Sequence, residues 1–74
     1  MRRIYLRCDE GEIAGDLYNA VDRFPSVQIG SYPILHNPDY NVLVTLESKQ
    51  AEEVEEALRC LLGRLSPSFL VRFE

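Results

Sequence analysis

The side chains able to do chemistry are one histidine, His36, two cysteines, Cys8 and Cys60, a run of four glutamates, and arginines and tyrosines near both ends. His36 sits in the turn-rich stretch Ile34 to Tyr40 with no acid–base partner nearby in sequence. General acid–base work needs a second group within hydrogen-bond reach, so His36 reads as a solvated loop residue. Glu52, Glu53, Glu55 and Glu56 resemble a metal-binding cluster at first sight. Glu52 and Glu56 lie one helical turn apart, but all four fall off the apolar stripe of the helix that carries them. A solvated face is the better reading, with Glu55 and Arg59 spaced for an ion pair. Ser31 lacks a GxSxG context, a general base and an oxyanion loop, so nucleophilic catalysis has no support. No Walker loop or GxGxxG run cradles a phosphate. Neither cysteine belongs to a CxxC pair. They read as small buried apolar residues of a reducing compartment, a mutual disulfide being the lesser alternative. No catalytic residue and no metal ligand is assigned.

The remaining candidates depend on how the chain folds, and length bounds that. Seventy-four residues make one small domain, and such a chain buries only about 60% of its unfolded surface, leaving a marginal core that favours a partner or self-association. The composition, 46% hydrophobic and 27% charged, is that of a globular domain. A net charge of −4 argues against non-specific nucleic-acid binding, which needs cationic groups to displace counterions. No apolar run approaches the roughly 18 residues of a membrane span, and the charged N-terminus is unlike a secretory signal. The expectation is a cytoplasmic setting.

Residues 2 to 8 alternate with period two, Ile4, Leu6 and Cys8 on one face and Arg3, Tyr5 and Arg7 on the other, which predicts a half-buried strand. Asp9 with Glu12 predicts a capping-box helix start. Ile13, Ala14, Leu17, Tyr18, Ala20, Val21 and Phe24 then recur at helical spacing, and Pro25 ends the helix at Phe24. Residues 26 to 33 return to period two. Gly30 within that strand suggests a bulge or a close backbone approach, and Pro33 puts the strand at an edge or at its end. Asn37-Pro38-Asp39 marks a turn. Residues 41 to 48 form the cleanest strand, with Val42, Val44 and Leu46 alternating against Leu43, Thr45 and Glu47. Ser48 is a candidate cap for a second helix striped by Ala51, Val54, Leu58, Leu61 and Leu65, with Arg59 and Arg64 near its negative end. Residues 68 to 73 close as a strand with Phe69, Val71 and Phe73 on one side and Leu70 and Arg72 on the other.

The order β-α-β-β-α-β predicts an α+β, ferredoxin-like two-layer sandwich. Right-handed crossovers place both helices on one face of a four-stranded antiparallel sheet of order 4-1-3-2. The opposite face then carries Arg3, Tyr5, Arg7, Gln28, Leu43, Thr45, Leu70 and Arg72, joined by Tyr32 if its strand stays regular past Gly30. This mixed apolar and cationic surface reads as a docking face for another domain or subunit. It competes with a plain solvated face and with a single-stranded RNA platform, for which only Tyr5 offers a central-strand aromatic. A small-ligand regulatory domain is a further alternative, but Asp9, Glu10 and Glu12 around Gly11 would repel a carboxylate at the loop after the first strand.

The block Ile29-Gly30-Ser31-Tyr32-Pro33, followed by Tyr40-Asn41-Val42-Leu43-Val44-Thr45-Leu46-Glu47-Ser48, resembles the final part of the molybdopterin-binding-like region of eukaryotic FAD synthases. A similar small domain occurs in the related bacterial competence-damage-inducible CinA proteins. The alanine- and glutamate-rich helix from Glu52 and the start Ile4-Tyr5-Leu6, Asp9-Glu10, Ile13-Ala14 fit as well, so the likeness spans essentially the whole chain. The resemblance implies an excised, non-catalytic accessory subdomain of an enzyme of flavin nucleotide metabolism. FAD, FMN, ATP and Mg would belong to other domains of that parent. The partner would be the preceding molybdopterin-binding-like domain, with homo-oligomer formation also open and neither nucleic acid nor membrane involved. A mitochondrial isoform of the parent is the alternative to a cytoplasmic one. Gly30, Ser31, Tyr32, Pro33 and Tyr40 carry over only as pattern positions with a structural role.

Overall fold

The computed structural model describes residues 1–74. The chain runs β1 (Arg2–Leu6), α1 (Glu10–Arg23), β2 (Gln28–Pro33), β3 (Val42–Glu47), α2 (Ala51–Arg64) and β4 (Leu70–Phe73). The four strands form one antiparallel sheet in the order β2-β3-β1-β4, as the α+β sandwich requires. The hydrophobic core lies between the sheet and both helices. Ile4 and Leu6 of β1 and Val42, Val44 and Leu46 of β3 meet Ile13 and Ala20 of α1 and Val54, Ala57, Leu58 and Leu61 of α2. Each strand presents every second residue to this layer, and the helices present residues three and four apart.

The helix ends follow local chemistry. The Glu12 carboxylate accepts from the Asp9 amide at 3.3 Å, one half of the expected capping box. The second helix departs from expectation, because Gln50 and not Ser48 precedes its first turn. The Ser48 hydroxyl instead accepts from the Gln50 amide at 3.1 Å, a turn that leads into the helix. Glu55 also departs from its predicted partner. It receives the Arg2 guanidinium on both carboxylate oxygens, at 2.6 and 2.7 Å, and so ties the start of β1 to α2. Arg64 reaches Asp16 at 3.1 Å and ties the two helices together. Both cysteines are free.

Gly30 forms no bulge, since β2 and β3 stay in register from Gln28–Glu47 to Pro33–Val42. The close approach comes from Tyr32, whose ring folds back over Gly30. A Cβ there would lie 2.8 Å from the tyrosine hydroxyl oxygen. The irregularity falls between Tyr5 and Leu6, where the pairing with β4 slips. Arg72 opposes Tyr5, but Leu70 opposes Leu6 and shares its helix-facing side. Leu70, expected on the outer face, therefore packs against the core beside Phe69, and Val71, expected in the core, is 40% exposed. A one-residue slip exchanges the faces of a strand, and alternation read within β4 alone cannot detect it.

Candidate docking face

The outer sheet face assembles from residues far apart in sequence. Across the strands, Arg3 opposes Thr45, Tyr5 opposes both Leu43 and Arg72, and Tyr32 opposes Leu43. Leu43 and Thr45 are half-buried, Arg3 and Arg72 are exposed, and Tyr32 is 52% exposed. The regular β2 thus brings Tyr32 onto this face.

Tyr5 departs from its expected role, being only 8% exposed. The ring of Tyr40 stands edge-on against it, centroids 4.7 Å apart and planes at 75°. The Arg72 guanidinium lies over the Tyr5 ring, 4.1 Å from its centroid, and 5.6 Å from the centroid of Tyr40, a cation–π contact with both rings. The Tyr5 hydroxyl donates to Glu74 Oε1 at 2.7 Å, and Arg3 approaches the same oxygen at 3.7 Å. Tyr5 supports this end of the face from beneath and does not present its ring to a partner. The Glu74 hydrogen bond, followed by burial, pushes its phenol above the ordinary value of 10.0, with Arg72 pulling the other way.

The loop between β2 and β3 delivers Tyr40. The Asn37 side-chain oxygen accepts from the amides of Asp39 at 2.8 Å and Tyr40 at 3.3 Å, an Asx turn that curls the chain back. His36 takes the left-handed conformation, φ 63°, ahead of that turn. Arg7 donates to the Pro38 carbonyl and pins the loop to the end of β1, so it too is engaged by its own chain. Asn41 closes the arrangement. Its side-chain oxygen accepts from the Cys8 amide at 2.9 Å and its side-chain nitrogen donates to the Cys8 carbonyl at 3.0 Å. Sequence reasoning missed Asn41 and Glu74, and it knew Tyr40 only as a pattern position. Asn37-Pro38-Asp39 was a readable turn signal, whereas nothing local marks the reach from Asn41 to Cys8.

The remaining candidates stay apart. Ser31 faces the helix side near Glu10, with 3.5 Å between its hydroxyl and Glu10 Oε2, and no histidine adjoins it. His36 is exposed. Glu52, Glu53, Glu55 and Glu56 do not converge, and no group of three or more His, Cys, Asp or Glu side chains could hold a metal ion. Burial, with the nearby carboxylates of Glu12, Asp9 and Glu10, pushes the Cys8 thiol above its ordinary value, which disfavours the reactive thiolate. No helix is long and apolar enough to cross a membrane.

A family model described as FAD synthase, middle domain, matches residues 1–74. The chain belongs to that family. The pattern block Gly30-Ser31-Tyr32-Pro33 of this FAD synthase middle domain now has a local physical account. Gly30 leaves room for the Tyr32 ring, and Pro33 ends an edge strand with no amide to offer. Tyr40 serves the face through its contact with Tyr5.

Proposed function

We propose that this FAD synthase middle domain is a non-catalytic packing domain, and that its outer sheet face docks on the preceding, molybdopterin-binding-like domain of the parent. The observation carrying this reading is the mixed apolar and cationic surface of Arg3, Tyr32, Leu43, Thr45 and Arg72, assembled from all four strands. Tyr5 and Tyr40 stiffen one end of it, which lowers the ordering cost of an interface.

FAD, FMN, ATP and Mg belong to the parent's other domains in this reading, and the residues here do not fit them. The acidic side chains present no convergent site for a divalent ion. The first turn of α1, where backbone amides would meet a phosphate, carries Glu10 and Glu12.

The test is calorimetric titration of the 74-residue chain into the separately expressed preceding domain. Saturable binding is expected, weakened at least tenfold by Leu43→Arg or Thr45→Arg and unchanged by Glu56→Gln on the far side. No binding, or binding indifferent to both face variants, would refute the docking. Turnover of FAD, or of FMN with ATP, by the clean chain and abolished by a substitution within it would refute the non-catalytic assignment. Saturable RNA binding that weakens with salt would favour the nucleic-acid alternative.

A further inference from the structure

The free edge of β2 and the adjoining flank of α1 form a second surface, separate from the outer sheet face. Ile29 and Ser31 turn their side chains to the helix layer, opposite Leu46 and Val44. With Ala14, Leu17, Tyr18 and Val21 of α1 they line a shallow groove of about 370 Å³. Tyr18 is 77% exposed and Val21 47%, so the predicted apolar stripe of α1 is only partly consumed by the core.

The edge itself is open. The Ile34 amide donates to the Asn41 carbonyl, and its neighbours alternate, so Gln28, Gly30 and Tyr32 bond to β3. The amides and carbonyls of Ile29 and Ser31 point outward, and Pro33 ends the row. An unpaired edge flanked by an exposed apolar stripe is a template for another strand.

We infer that this surface takes a second copy of the chain, pairing β2 with β2 antiparallel about a twofold axis at Gly30. Pairing centred there sets Ile29 of one copy against Ser31 of the other, and every outward amide of both strands finds a carbonyl. The two sheets become one eight-stranded sheet with all helices on the same side. The two α1 helices then run antiparallel, and their Tyr18 and Val21 side chains cover the Ile29 pair. Charge agrees with this occupant. Glu10 and Glu12 begin α1 and Arg23 ends it, so an antiparallel partner brings its Arg23 toward Glu10. The surface is self-complementary in backbone, apolar area and charge, as an isologous interface requires.

Sedimentation equilibrium of the 74-residue chain from micromolar to millimolar concentration tests this. The expected result is a mass rising toward twice the 8.5 kDa of one chain. Tyr18→Glu and Ser31→Pro should each weaken association at least tenfold. Ser31→Pro removes only an outward amide, and Tyr18 is exposed in the single copy, so both variants should keep the circular dichroism of the parent at dilution. Glu56→Gln, on α2 and away from this edge, should leave association unchanged. A chain that stays monomeric to millimolar concentration overturns the inference. A dimer indifferent to both Tyr18→Glu and Ser31→Pro does so too, because its interface lies elsewhere. Neither result depends on binding at the outer sheet face.

Discussion

Replacing Asn41 by Ala should cost this domain a large share of its stability, although Asn41 is exposed and lies outside the hydrophobic core. Its side chain makes two hydrogen bonds to the backbone of Cys8, at 2.9 and 3.0 Å, joining the end of β1 to the start of β3 across 33 residues. Alanine removes both and leaves the amide and carbonyl of a buried residue without their partners. A hydrogen bond lost in this way costs about 1–3 kcal/mol, and with water able to reach part of this site the pair together is worth about 2–3 kcal/mol. A chain of 74 residues has about 4–11 kcal/mol of total stability. Its unfolding entropy near the midpoint is about 0.155 kcal/mol/K, so Tm should fall by about 13–19 °C. Thermal unfolding followed by circular dichroism measures this directly, with amide exchange at Cys8 as the local readout. Asn41→Asp, which keeps the acceptor and loses the donor, should fall between wild type and Asn41→Ala. A Tm within about 3 °C of wild type for Asn41→Ala would refute the reasoning, since it corresponds to less than about 0.5 kcal/mol.

Leu61 is fully buried where α2 meets the sheet, so Leu61→Ala should cost about 2–5 kcal/mol, read as a lower midpoint in urea denaturation. The raised pKa of Tyr5 favours the protonated native phenol; the stability linked to it is complete below the unfolded value near 10 and is lost as pH rises through the folded value. Glu74→Gln should bring the Tyr5 titration back toward 10.0, read by tyrosinate absorbance. Cys8 should resist thiol-specific reagents at neutral pH until the chain unfolds, while the half-buried Cys60 labels in the native state; rapid native labelling of Cys8 would contradict its burial. His36→Gly should raise stability by up to about 1 kcal/mol, because the left-handed backbone is free of cost for glycine alone.

Element order, the central alternation of β3, the edge position of β2 and the buried part of each helix stripe were legible in the sequence, whereas Tyr18, Val21 and Ala51 of those stripes are exposed. Each is set by residues within one or two turns, or by a proline that cannot donate to a ladder. The family likeness was legible on the same short block. Tertiary structure alone decided three features of the candidate face: the slip that turns Leu70 inward and Val71 outward, the covering of Tyr5 by Tyr40 and Arg72, and the hold of Asn41 on Cys8. Side-chain periodicity reports which residues share a face of one element. It carries no information about the register between strands, or about which loop atom will satisfy a backbone group tens of residues away, and those are settled only when the whole chain closes.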